Sequence, residues 1–387
     1  MDKSTAETMR EHNQQLVLQK LFNAEATSRS EIAAQLNLHK STISSIYRDL
    51  DEMGYIEELG EGETSEIGGR RPKLVRFSRQ YGYVMSFDMG HRHLRVSSVR
   101  LTGEVIEEQV IHVQNQSVQA VIEQMQNLLK NADKLGTQQG LLGVAVGIHG
   151  VVDNNKVTYS PFFDYSQIDV AAALASVVDV PVLLENEANL AAVYTRDFHD
   201  YAKSTTYQNL AVVNVHYGIG AGMIVENRLY RGLHGQAGEI GRSAASVSAD
   251  GHVVRLEDLY SEEAMLSRFA SQTGRAVERD DFLAALKADD RTAQRMIGEW
   301  ISGIAVAIFN LIQQNAPEAV FIHSRFIAEL PDLLGEVVGA YQQMNPIGDT
   351  EIFFANNSVY RATMLGGVAL VTRNLLGLAG LDLRFHN

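Results

Sequence analysis

Residues 180–196 read VPVLLENEANLAAVYTR, a strand running into a helix, with the polar block Glu185-Asn186-Glu187-Ala188-Asn189 at the junction. Strand and helix patterns that alternate belong to α/β folds. The stretches on either side repeat the pattern. Upstream, YGYVMSFDMG (81–90) is a strand ending at Asp88 and Gly90, and Leu94 to Leu101 is its hairpin partner. Thr102-Gly103 is a turn, Val118 to Leu129 a helix, and LLGVAVGIHGVVD (141–153) a buried strand with a glycine turn. Downstream, NLAVVNVHYGIGAGMIVENRLYRG (209–232) is a glycine-rich hairpin, and a long helix from Met296 to Gln314 precedes a strand from Ala319 to His323. Strands and glycine turns thus alternate twice over. This predicts two lobes with a cleft between them, a usual place for a small-molecule site. The junction would deliver Asn186 and Glu187 to the mouth of that cleft. An amide and a carboxylate side by side supply donors and acceptors for adjacent hydroxyls. An asparagine at the head of a helix equally suits a cap.

The first 78 residues differ in kind. Leu16, Leu18, Leu21 and Phe22 mark one helix with an apolar face. Ser28 caps a second, with Glu31 three residues on to complete a capping box, and Ile32, Ala33 and Leu36 give it an inward side. Asn37-Leu38-His39 is a tight turn. A third helix starts near Lys40 and runs to about Met53, with Ile43, Ile46, Tyr47 and Leu50 inward. Its early outward positions are Lys40, Ser41, Thr42, Ser44 and Ser45, and Arg48 lies further along. Short polar side chains on a helix after such a turn suit entry into a DNA major groove. Tyr55-Ile56 and Leu74-Val75-Arg76-Phe77 are expected to pair as the strands of a wing. Its tip, Gly60 to Gly69, leads to Arg70 and Arg71, cations placed for phosphate or a narrow minor groove. A three-helix adaptor with a solvated charge run is the plainer reading of the same residues.

Composition limits the choices. The chain has 387 residues, 45% of them apolar and 21% charged, enough for two or three domains with ample core. No run of 18 uncharged apolar residues suggests a membrane span, and MDKSTAETMREHNQQ is too polar for a signal peptide. There are no cysteines, so disulfides and thiolate metal sites are excluded; together these features point to the cytoplasm. A net charge of −14 argues against broad nucleic-acid binding. Residues 1–78 hold 10 Lys/Arg against 13 Asp/Glu, so DNA binding must rest on two local clusters: His39-Lys40, and Arg70-Arg71-Pro72-Lys73 with Arg76.

These motifs resemble the ROK family (repressors, open reading frames and kinases), and the resemblance covers essentially the whole chain. It implies an actin-like, two-lobed sugar-kinase fold and, in the repressor branch, an N-terminal winged helix. GGRRP (68–72), ENEAN (185–189) and LYRGLHGQAGEIG (229–241) look most like the xylose repressors. Asp88 and Gly90 resemble the family's first phosphate motif, but His91-Arg92-His93 follows where kinases have a small cradle. Residues 146–153 resemble a glycine-rich turn closing the sugar site, with His149 in place of a proline. Ser160-Pro161 begins the family's sugar-facing loop, here followed by Phe162 and Phe163. Tyr217 replaces a threonine in the second phosphate loop. Glu187 stands where kinases place an aspartate general base. Glu239 and Glu257 match sugar-hydroxyl acceptors, and Arg242 replaces a histidine that in the family touches sugar and ligates zinc. Ser248, Asp250 and Arg255 occupy the zinc cysteines' positions, so the structural zinc is expected to be absent. A salt bridge from Arg242 or Arg255 to Asp250 is an expected replacement.

The expected organisation is a winged helix-turn-helix DNA-binding domain over 1–78 and a two-lobed effector domain over 79–387, with a cleft near 185–190 and a C-terminal helix returning to the first lobe. Residues 365–369 resemble the start of that helix. The expected function is repression of sugar-utilisation genes without enzymatic activity or cofactor. Asn186, Glu187, Glu239, Glu257 and Arg242 would hold the sugar, xylose or a related pentose or hexose. Lys40, Ser41, Thr42, Ser44, Ser45, Arg48, Arg70 and Arg71 would meet double-stranded DNA. A homodimer or tetramer would read a palindromic or inverted-repeat operator. The alternatives are an active sugar kinase with a regulatory DNA-binding head and a repressor controlled by a protein partner.

Overall fold

A computed structural model of the chain describes residues 3–62, 71–198, 207–355 and 359–386. The chain opens with α1 (Lys3–Asn23), β1 (Thr27–Ser28), α2 (Arg29–Gln35), α3 (Lys40–Glu52), β2 (Ile56–Glu61) and β3 (Lys73–Phe77). Ser28 Oγ accepts from the Glu31 amide at 3.2 Å, and the Glu31 carboxylate accepts from the Ser28 amide at 2.8 Å, the reciprocal pairing that starts α2. Asn37 turns the chain into α3 with φ 53°, in the left-handed region that asparagine tolerates. β3 is the middle strand of a three-stranded antiparallel sheet, with Ile56 opposite Phe77 and Ser28 opposite Leu74. Leu21, Phe22, Ile32, Ile46, Leu50 and Phe77 close the core of this region.

The first lobe holds β4 (Tyr83–Met89), β5 (His93–Arg100), β6 (Val105–His112), α4 (Val118–Lys130), β7 (Leu141–Ile148), β8 (Val151–Asp153), β9 (Lys156–Tyr159), α5 (Val170–Ala175) and β10 (Val182–Asn186). α6 (Glu187–Asp197) leads to the second lobe: β11 (Leu210–Val215), β12 (Ile219–Val225), β13 (Arg228–Tyr230), β14 (Ala244–Val247) and β15 (Val253–Arg255). There follow α7 (Leu256–Tyr260), α8 (Glu262–Thr273), α9 (Arg279–Lys287), α10 (Arg291–Asn315), β16 (Ala319–Ser324), α11 (Arg325–Glu329), α12 (Asp332–Met344) and β17 (Glu351–Phe354). The main sheets run β10-β7-β4-β5-β6 and β13-β12-β11-β16-β17. In each, three consecutive strands form an antiparallel meander and two later strands add in parallel beside the first. One topology is therefore built twice.

α6 joins the two sheets. It packs on β10 and β7 of one and on β11 and β12 of the other, and α13 (Val359–Leu375) covers it while resting on β4, β5 and β7. The approach is close enough to require glycine. A Cβ at Gly222 would stand 2.1 Å from the Ala188 carbonyl oxygen, and one at Gly366 1.9 Å from that of Leu190. Residues 365–369 therefore lie in the middle of α13 rather than at a helix start, and their glycines serve packing. α10 is long and apolar enough to cross a membrane by composition, but Trp300, Ile304 and Ile308 bury its apolar face in the second lobe's core. The β14–β15 hairpin was not anticipated, because the sequence there reads mainly as a zinc segment stripped of its ligands; helices α7 to α9 were not anticipated either.

Candidate functional site

The 185–189 block sits where β10 becomes α6, and its side chains divide the work. Asn186 caps the helix: its Oδ1 accepts from the Ala188 and Asn189 amides at 2.8 and 3.1 Å. Its Nδ2 donates to the Gly150 carbonyl at 2.8 Å and to Glu187 at 3.0 Å. The capping role is thus the one the geometry displays, and it uses both ends of the amide. Glu185 is only 3% exposed and is structural as well; it accepts from Asn189 Nδ2 at 2.9 Å and pairs with Arg231 of the second lobe at 2.7 Å. That leaves Glu187. Burial pushes its carboxyl above the ordinary value, and the nearby His149 works against that rise.

Across from Glu187 lies the turn that resembles a phosphate motif. Asp88, 1% exposed, accepts from His149 Nε2 at 2.9 Å and from Arg95 at 3.2 Å. Burial alone would lower the His149 pKa, but Asp88 outweighs it and raises it to about 9. Both carboxylate oxygens of Asp88 are therefore occupied by side-chain cations of its own lobe. Above this pair, rings from both lobes meet. His91 stacks on Phe162 with centroids 5.1 Å apart, Tyr217 meets Phe162 edge-on at 5.4 Å, and His149 lies 6.1 Å from Phe162. Sequence reasoning took these residues singly, as bulky replacements; nothing in their spacing pairs residue 91 with 162 or 217.

The second lobe contributes two more carboxylates. Glu257 reaches the glycine turns: its Oε2 lies 3.0 Å from where a Cβ on Gly218 would stand and 2.9 Å from one on Gly241. Burial pushes the Glu239 carboxyl up, Arg242 opposes this and Glu257 adds to it. Glu239 also acts electrostatically on Glu187, so the three carboxylates share one region of the cleft. Arg242 sits 4.0 Å from Glu239 and lies over the Tyr159 ring of the first lobe at 5.5 Å, a cation–π contact across the cleft. The expected salt bridge to Asp250 is not formed. Asp250 instead pairs with His252 at 3.6 Å and hydrogen-bonds Ser248, while Arg255 turns to Glu257 at 3.8 Å. The β14–β15 hairpin points these residues at one another rather than at Arg242.

On α3, Lys40, Ser41, Ser44 and Arg48 are exposed, while Thr42 and Ser45 are half-buried. The Ser44 hydroxyl donates back to the Lys40 carbonyl at 2.6 Å, and Arg48 has Glu52 4.0 Å away. Arg71 is exposed, and Arg70 lies outside the described residues. The basic cluster expected around Arg71 is smaller than it reads. Arg76 is held by both oxygens of Glu57 at 2.9 and 3.0 Å, and Lys73 by Glu58 at 3.0 Å, because β2 sets these glutamates opposite β3.

The ROK family profile matches residues 84–374, and the chain belongs to that family. It is 36% identical over 379 residues to the xylose repressor of Lactiplantibacillus pentosus, covering 97% of this chain and 96% of that protein. Among solved structures it resembles a ROK family transcriptional regulator, a homologue of the E. coli MLC protein, with a TM-score of 0.79 at 18% identity, over 95% of this chain and 97% of that one. It also resembles a ROK family glucokinase from Streptomyces griseus, solved with glucose and AMPPNP, with a TM-score of 0.62 at 18% identity, over 75% of this chain and 99% of that one. The regulator spans the N-terminal region as well; the glucokinase covers a share the size of the two lobes.

Proposed function

We propose that the protein is a transcriptional repressor of sugar-utilisation genes, acting in the cytoplasm, whose DNA affinity is set by a neutral sugar, xylose or a related pentose or hexose. Residues 1–78 form a winged helix-turn-helix head, α3 being the helix that enters the major groove, with Thr42 and Ser44 towards base edges and Ser41 and Ser45 beside them facing DNA. Lys40, Arg48, Arg70 and Arg71 meet phosphate or the minor groove. Two such heads in a homodimer or tetramer read an inverted repeat. Glu187, Glu239 and Glu257 accept the sugar's hydroxyls, with Arg242 beside them, and Asn186 holds the helix that presents Glu187.

One observation carries this reading: the polar outward face of α3 is joined in one chain to a cleft whose Asp88 is already taken by His149 and Arg95. A nucleotide's magnesium and phosphates need a free carboxylate and an open glycine turn. Here the carboxylate is paired and rings crowd the turn. The similarity to a xylose repressor along nearly the whole chain supports the same reading and its sugar class.

The test uses an operator duplex selected from a random pool by the full-length protein. The selected sequence is expected to be an inverted repeat, and D-xylose is expected to change its affinity. Arg71→Ala should weaken operator binding roughly tenfold, the scale of one lost phosphate or groove contact, and leave sugar affinity unchanged. ATP-dependent phosphorylation of xylose or glucose would contradict the reading.

A further inference from the structure

The last described residues do not trail away from α13. Residues 376–386 run back between α6 and the N-terminal head and bond to both. The Phe385 amide donates to the Asp197 carbonyl at 3.1 Å, and the His386 amide to that of Thr102 at 2.8 Å. On the head side, Gln19 and Asn23 of α1 donate to the Asp382 carbonyl at 2.7 and 2.9 Å. The Arg384 amide donates to Asn23 Oδ1 at 2.9 Å, and Gln15 donates to the Gly377 carbonyl at 2.9 Å.

Aromatic rings run through the same place without a gap. Tyr194 stacks on Phe198 at 4.9 Å, Phe198 on Phe385 at 5.1 Å, Phe385 meets Phe22 edge-on at 5.0 Å, and Phe22 meets Phe77 at 5.3 Å. The path therefore leads from α6 through the tail to the head's helix α1 and strand β3. Its start is anchored by Asp197, fully buried, which binds Arg196 of its own helix at 2.6 Å and Arg373 of α13 at 2.7 Å. Arg373 in turn donates to the Leu378 and Leu381 carbonyls of the tail.

The other end of α6 is the candidate site. The helix has 11 residues, roughly 16 Å at 1.5 Å per residue, with Glu187 first and Asp197 last. It touches both main sheets, so any movement of one lobe against the other must act on it. The close approaches at Gly222 and Gly366 hold it tightly against β12 and α13. Coupling between distant sites requires a packed element that both sites bias.

We propose that residues 376–386 are a strap that carries the state of the cleft from α6 to the DNA-reading head, with Asp197, Phe385 and Asn23 as positioning residues. The proposal rests on the sugar-controlled repressor reading. Its test compares the parent chain with Asn23→Ala, which removes both strap bonds from a half-buried head residue, and Phe385→Leu, which keeps apolar bulk but removes the ring contacts. Each is measured for xylose affinity by thermal shift, for operator affinity with and without xylose, and for hydrogen exchange in residues 14–23. Both variants should bind xylose as the parent does. The xylose-induced change in operator affinity, typically ~5- to 150-fold in coupled systems, should collapse towards onefold. The xylose-dependent change in α1 exchange should vanish with it. Variants that answer xylose with the parent's full change in operator affinity and in exchange would overturn the strap. If xylose alters α1 exchange in the parent but not in the variants, while no operator can be selected, the strap stands and the repressor reading fails.

Discussion

The two ends of α6 hold carboxylates in opposite conditions, Asp197 fully buried and Glu187 half-buried. At the C-terminal end, burial alone would push Asp197 up, but Arg196 and Arg373 outweigh it and hold the carboxyl below its ordinary value. Its hydrogen bonds are complete. At the N-terminal end, burial pushes Glu187 up, and His149 and a backbone hydrogen bond compensate only in part; its carboxylate also accepts from Asn186 Nδ2. A paired, satisfied buried ion is built to stay as it is. A half-buried carboxylate with acceptor capacity to spare can receive further donors such as hydroxyls. One helix thus separates a carboxylate locked by two arginines from the carboxylate proposed to bind sugar, and substitutions at the two ends should behave differently.

The largest effect is expected at the locked end. Asp197→Ala leaves two buried guanidinium groups without their carboxylate and should cost about 3–5 kcal/mol of stability, read by denaturant unfolding. A loss under 1 kcal/mol would mean that the Asp197 lock is not structural. At the open end, Glu187→Gln should leave stability unchanged or slightly raised. It should weaken sugar binding by about 1.5–3 kcal/mol, roughly 10- to 150-fold, the worth of a hydrogen bond to a charged group, as titration calorimetry would register. Equal stability losses at both positions would erase the contrast.

A smaller effect separates two histidines that act on each other electrostatically, His149 and His216. The folded pKa of His149, about 9, lies above its ordinary 6.5, so its contribution is fully present below pH 6.5 and is lost as pH rises through 9. The folded pKa of His216 is lowered well below 6.5, first by burial and then by Arg325, so it stays neutral in the fold and costs stability as pH falls below 6.5. Stability should therefore decline between pH 6.5 and 9 in the parent, and His149→Gln should flatten that slope while leaving the acid limb. The smallest effect lies in the head, where Ser28→Ala removes the α2 cap and should cost ~1 kcal/mol. Thermal melts would record it as a shift independent of sugar.

Much of the architecture was legible because it follows from local rules. The Ser28–Glu31 box, the Asn37 turn and the inward spacing of Ile43, Ile46 and Leu50 are short-range patterns, and each fell where it was read. The two lobes were visible through alternating strands and glycine turns. The division of labour within 185–189 was less visible. Asn186 as ligand and Asn186 as cap look identical in one dimension; only the position of Gly150 and the Ala188 amide separates them. Pairings set by long-range register were hidden for the same reason. Arg76 reads as a free cation until β2 places Glu57 opposite it, and His149 reads as a misplaced proline until β7 aligns with β4 and brings it to Asp88. The strap was out of reach, since it joins residues more than 350 positions apart.

The most direct measurement is a thermal-shift panel on the full-length protein: pentoses, hexoses, their phosphates and magnesium-ATP, run beside Glu187→Gln. Ligand that binds only the folded state raises Tm with the logarithm of its excess over Kd. The expected result is a rise with one neutral sugar, no rise with magnesium-ATP, and loss of the sugar's effect in Glu187→Gln. A rise with magnesium-ATP, with every neutral sugar silent, would contradict the assignment of the cleft to a neutral sugar and of Asp88 to His149 and Arg95.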